Sequence, residues 1–130
     1  MAEQSDVTVV RQWWDACVNE RLDDAASMMT ADVVHHVPGN NVISGHHKGR
    51  DAVIAMYRRC GEELDSGRME TLGVLADGRG HVVSTHRAHY ERKGRTADLQ
   101  EALLFTIVGG KISDIDEFTE DMAASDALWS

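Results

Sequence analysis

Two side chains in this sequence could carry acid–base chemistry. His36 sits in the apolar stretch Val33 to Val37, two residues before Pro38. An imidazole titrates near neutral pH, so it can take or give a proton during turnover. Asp116 lies late in the chain between Ile115 and Phe118. A carboxylate turned inward with no lysine beside it has a raised pKa, which suits a general acid or base. The competing readings are a hydrogen-bonded core histidine and a solvated carboxylate at a sheet edge. His86 and Glu101 offer a second combination, either a base with its orienting group or a plain cross-strand pair. Metal chemistry is not expected. In the doublets His35-His36 and His46-His47, neighbouring rings point to opposite sides of a strand, and no HExxH or CxxC spacing occurs. The stretch Gly45 to Gly49 lacks the GK[ST] ending of a phosphate loop. Neither a nucleotide nor any other cofactor is expected.

These groups need a scaffold. Val10, Trp13, Trp14, Cys17 and Val18 form a helical stripe in a segment capped by Ser5 or Asp6 and running to about Asn19. A short helix is expected from Leu22 to Met29, its first turn carrying Asp23 and Asp24. Val33 to Val37 reads as a strand ended by Pro38-Gly39, and Gly45 to Gly49 as a loop. A third helix runs from about Arg50 to Leu64, with Val53, Met56, Tyr57, Cys60 and Leu64 on one face. From there the period changes to two. Strands are expected over Met69–Ala76, His81–Arg92, Thr96–Val108 and Lys111–Phe118, with a short terminal helix over Met122–Trp129. Helices followed by an antiparallel meander predict an α+β fold: three N-terminal helices on a strongly curved, mainly antiparallel sheet.

Two-residue hairpin loops at Lys93-Gly94 and Gly109-Gly110 fix an expected register. His86 then faces Glu101, Ser84 faces Leu103, Leu103 faces Asp116, and Glu101 faces Phe118. Cross-strand partners share a sheet face. One face therefore gathers His86, Glu101, Leu103, Asp116 and Phe118, as a ligand cavity wall would. The other carries Ala102, Leu104 and Ile115, an apolar face that a second copy would cover.

Composition narrows the function. The chain has 130 residues and a net charge of −9. At about 100–200 residues per domain, residues 1–130 form one domain. The acidic excess argues against nucleic acid, which attracts basic stripes, and against anionic membrane surfaces. No apolar run is long enough to span a bilayer, and MAEQSD does not begin a signal peptide. Two cysteines in helix-like segments read as reduced core thiols of a cytoplasmic protein.

The stretch Ala31-Asp32-Val33-Val34-His35-His36-Val37-Pro38-Gly39, with Ser44-Gly45 and Gly49-Arg50-Asp51-Ala52-Val53, resembles the SnoaL-like polyketide cyclases. So does the ending Gly110-Lys111-Ile112, Asp116-Glu117-Phe118 and Asp121. These cyclases belong to the nuclear transport factor 2-like superfamily, with ketosteroid isomerase and limonene epoxide hydrolase. The resemblance covers nearly the whole chain. It implies a cone-shaped α+β barrel, a deep apolar pocket between helices and sheet, and a homodimer joined through the sheet.

Functional positions carry over only in part. The isomerase's proton-shuttling aspartate matches His36 once a two-residue deletion is allowed. Its oxyanion-hole tyrosine falls on Trp14, whose indole N–H could still donate a hydrogen bond. Its protonated aspartate falls on Leu103. Steroid isomerisation is therefore not expected. Epoxide hydrolysis needs an aspartate–arginine–aspartate set, and the register turns Arg87 away. The expected function is proton transfer beside a carbonyl in a small apolar ligand, by aldol-type cyclisation or double-bond isomerisation. His36 or Asp116 would be the base. Trp14, Val18, Val53, Tyr57, His86, Glu101, Leu103 and Phe118 would line the pocket. The alternatives are a non-catalytic binding or dimerisation domain and an epoxide hydrolase-like water-activating site.

Overall fold

A computed structural model describes residues 2–130. Helix α1 (Ala2–Val18) is followed by α2 (Leu22–Ser27), strands β1 (Met29–Val37) and β2 (Gly45–Lys48), and α3 (Arg50–Glu63). Strands β3 (Ser66–Ala76), β4 (His81–Arg92), β5 (Arg95–Val108) and β6 (Lys111–Thr119) follow, then α4 (Met122–Trp129). The sheet order is β2-β1-β6-β5-β4-β3. Among the described residues only β1 and β6 pair in parallel, and the other neighbours are antiparallel. The expected α+β architecture and its helices are present. No helix among the described residues is long and apolar enough to cross a membrane.

The core follows from the periodicities. Val10, Trp13 and Trp14 of α1 and Val53 and Ile54 of α3 pack with Val82, Leu103, Phe105, Ile112 and Ile115 of the sheet. Trp13 sets its ring edge-on to Trp14, Tyr57 and Phe105 at centroid distances of 5.1, 5.9 and 5.2 Å, a favoured aromatic geometry. A second cluster joins Val37, Ile43, Tyr90, Leu99 and Trp129 at the other end. The buried Arg92 guanidinium anchors α4 there. It is paired with Glu63 and donates to the carbonyls of Leu128 and Ser130. That anchor holds Trp129 over the end of the sheet.

Two expectations need correction. Gly45 to Lys48 is an edge strand paired with β1, not a loop. The segment GHHK has no apolar alternation, because an exposed edge strand buries little. The β4–β5 register agrees with the sequence reading, with His86 opposite Glu101 and Ser84 opposite Leu103. The β5–β6 register does not. Ile107 pairs with Ile112, but Thr106 pairs with Asp114, so Ser113 is an extra bulged residue. Its hydroxyl donates to the Thr106 carbonyl. A bulge of one residue reverses the face of everything beyond it. Asp116 and Phe118 therefore stand opposite Leu104 and Ala102 on the outer face, and Phe118 is 54% exposed. Ile115 goes the other way, into the core opposite Phe105.

Candidate functional site

A cavity of about 660 Å³ opens between α1, α3 and the inner face of the sheet. Trp13, Trp14, Cys17 and Val18 reach it from α1, and Met56, Tyr57 and Cys60 from α3. His35, His86, Tyr90, Glu101, Leu103 and Glu117 line it from the sheet, and Trp129 from α4. Of the residues the sequence assigned to the pocket, Trp14, Val18, Tyr57, His86, Glu101 and Leu103 line it, with Val18 half-exposed. Val53 is fully buried in the core under α3 and does not line the cavity.

His36 is not in the cavity either. The alternation of β1 sends Val33, His35 and Val37 inward and Val34 and His36 outward. His36 meets His46 across the β1–β2 pair and contacts Asp114 at 2.8 Å, with Asp116 at 3.9 Å. His36, Asp114 and Asp116 are close enough together to share a cation, but they lie partly exposed on the outer face. The His36–Asp116 acid–base pair expected from the sequence is thus on the wrong side of the sheet. Arg87 is exposed on β4, so the arginine of an epoxide-hydrolase set is not in the cavity.

Their inward neighbours take the place. His35 is only 3% exposed. Its Nδ1 lies 2.8 Å from the Tyr57 hydroxyl and its Nε2 3.0 Å from Glu117 Oε1. An ionised carboxylate only accepts, which assigns the Nε2 proton to His35. Nδ1 is then the acceptor for the Tyr57 O–H. Burial holds the Tyr57 phenol well above its ordinary value, with Cys17 and Glu117 adding to the rise. The phenol stays protonated and available as a donor. One imidazole thus joins an acid on one side to a carboxylate on the other.

A second pair lies in the same cavity. His86 Nε2 is 3.1 Å from Glu101 Oε1, and the imidazole tilts against the Trp14 ring at 4.7 Å. His86 Nδ1 is buried without a hydrogen-bond partner. The Trp14 indole N–H donates to Ser84 Oγ at 3.0 Å, so it is not free for a ligand. Burial pushes the Glu101 carboxyl up, the His86 hydrogen bond opposes this, and Glu117 adds to the rise. Burial also pushes the Cys17 and Cys60 thiols up to about 12, which removes them as nucleophiles.

The Glu101 shift predicts a pH-dependent stability. Between the ordinary carboxylate value and the raised one, the folded chain binds more protons than the unfolded chain. The contribution of this group is full below the ordinary value and is lost as pH rises through the raised one. Glu101→Gln cannot ionise. Its melting temperature should therefore gain on wild type as pH rises from about 4 to about 8. A gap that does not change across that range would contradict the assignment.

Two signals for the missed residues were in the sequence. The Val33–His35–Val37 alternation marks His35 as the inward histidine. Trp13 belongs to the same helical stripe as Trp14. Glu117 had no such signal, because its inward direction depends on the bulge.

Residues 10–115 match the SnoaL-like domain family. An uncharacterised protein of Mycobacterium tuberculosis (strain H37Rv) is 30% identical over 131 residues, covering all of both chains. Bal32a, from a soil-derived mobile gene cassette, superposes with a TM-score of 0.96 at 27% identity over all of both chains. An NTF2-like protein of Burkholderia xenovorans LB400 shares the fold at TM-score 0.85 and 20% identity, over 98% of each chain. TerC, co-crystallised with polyporic acid, does so at 0.84 and 17%, over 95% of this chain and 97% of its own.

Proposed function

The chain belongs to the SnoaL-like domain family, and from that premise we propose that it catalyses proton transfer beside a carbonyl in a small, largely apolar molecule. Aldol-type cyclisation and double-bond isomerisation both begin with this step. The observation that carries the proposal is the Tyr57–His35–Glu117 chain inside an aromatic cavity. The Glu117 oxygen not facing His35 takes a proton from carbon. The Tyr57 hydroxyl turns its O–H from His35 Nδ1 to the carbonyl oxygen as negative charge develops there. His35 lies between them. Its Nε2–H holds Glu117 Oε1 in place, and the proton gained at Glu117 stays on that carboxyl until it is returned to carbon, which regenerates the base. The fold supports such a pocket, and TerC shows a member of this fold crystallised with an organic compound.

Hydrogen–deuterium exchange tests the reaction directly. Wild type in D2O should exchange the protons beside the carbonyl of 2-acetonaphthone faster than buffer does, read by proton NMR. Glu117→Gln should return the rate to background. Exchange that is equally fast in the variant would rule out Glu117 as base.

We also propose a homodimer joined through the outer face of the sheet. Val83, Leu104, Ala102 and Phe118 form an apolar strip there, with Val83 38% and Phe118 54% exposed. Such a strip favours cover by a second copy. Sedimentation should show a dimer for wild type and a monomer for Phe118→Arg. A monomeric wild type at micromolar concentration would overturn this.

A further inference from the structure

We propose that the substrate carries a protonated amine, and that this group docks on the His86–Glu101 pair while the carbonyl lies towards Tyr57. The proposal rests on the reading of the cavity as a substrate pocket. It comes from the hydrogen-bonding capacity the cavity leaves open. Glu101 is 7% exposed and has one protein donor, His86. A carboxylate accepts up to about four hydrogen bonds. With Nε2–H of His86 given to Glu101, Nδ1 is a bare acceptor, and no protein donor reaches it. The N–H of Trp14, whose ring packs against His86, is held by Ser84. The open sites on the His86–Glu101 pair itself are thus all acceptors and call for a ligand that donates, while the Trp13 N–H is an open donor elsewhere in the lining.

Charge narrows the donor to a cation. Among the lining residues the one lysine or arginine is Arg58, which is exposed. Neither Glu101 nor Glu117 forms an ion pair with a lysine or arginine among the described residues. Two carboxylates in an apolar cavity without a fixed cation repel anions and attract an ammonium group. The Trp14 ring beside His86 adds an aromatic surface on which an ammonium group is favoured. The same arrangement disfavours carboxylate and phosphate ligands.

Four probes with one naphthalene body separate the terms: 2-(aminomethyl)naphthalene, 2-naphthalenemethanol, 2-acetonaphthone and 2-naphthoate. Calorimetry on the full chain at neutral pH should find the amine at least about tenfold tighter than the alcohol or ketone, and the naphthoate weakest. In Glu101→Gln the amine preference should fall to within about threefold, with ketone affinity unchanged. In Glu117→Gln most of it should remain. An amine no tighter than the alcohol overturns the proposal, as does full preference in Glu101→Gln or no binding of any probe. Should Glu101→Gln fail to fold, the amine-to-alcohol ratio of wild type decides alone. Ketone exchange in D2O without amine preference removes this inference and leaves the proton-transfer reading. Amine preference without ketone exchange does the reverse.

Discussion

Tyr57→Phe should lower turnover of any carbonyl substrate by about 10²–10⁴-fold, with KM nearly unchanged. The variant removes one oxygen and keeps the ring, so the edge-on contacts with Trp13 and His35 survive. What is lost is the donor for the developing oxyanion. An interaction made mainly in the transition state shows in kcat rather than in binding. The structural cost is small by comparison. His35 Nδ1 loses its hydroxyl partner, worth about 1–3 kcal/mol for a buried acceptor. A purely structural role for Tyr57 would lower the melting temperature and leave kcat per folded molecule intact. That outcome would sink the catalytic assignment. His35→Ala should show the same kinetic loss, because Glu117 and Tyr57 then lose their connection. The two losses should be far from additive in the double variant, since both residues act through one imidazole.

The helices and the β4–β5 hairpin were readable because each rests on a local signal. Val10, Trp13, Trp14 and Cys17 repeat at helical spacing, and Lys93-Gly94 makes a two-residue turn with positive φ at both residues. The register that placed His86 against Glu101 followed from that turn alone. The last strand had an equally good turn at Gly109-Gly110, and its first two pairs follow it. The reversal beyond them comes from Ser113, a residue with no sequence mark of a bulge. Exchanging the faces of Asp116 and Glu117 exchanged a surface carboxylate for the cavity carboxylate. Strand β1 failed for a different reason. His35 and His36 are the same residue type side by side, and the match to a distant family position chose the outward one. The burial of Val33 and Val37 is the stronger physical guide, since a strand buries alternate residues. Edge strand β2 lay beyond any such guide, because its exposed residues carry no apolar pattern.

Phe105→Ala should cost about 3–5 kcal/mol of folding stability, the range for a buried phenylalanine truncated in a core. Phe105 is fully buried at the centre of β5, between Val82 of β4 and Ile115 of β6. Its ring also meets Trp13 edge-on at 5.2 Å, and such pairs add about 0.5–1.5 kcal/mol beyond area. Domains of this size are stable by about 5–15 kcal/mol, so the loss is a large share of the total. The effect should reach the ligand site, because Trp13 stands between Phe105 and the cavity. With Phe105 shortened, Trp13 can settle back into the void, and Tyr57 loses the ring that packs against it. Probe affinity should therefore fall along with stability, while Phe105→Leu should retain most of both. Urea denaturation and calorimetry on the same samples separate the two effects. A loss below about 1 kcal/mol in Phe105→Ala would mean that the site collapses easily and that Trp13 is not held from below. The aromatic wall assigned to the cavity would then have no rigid support.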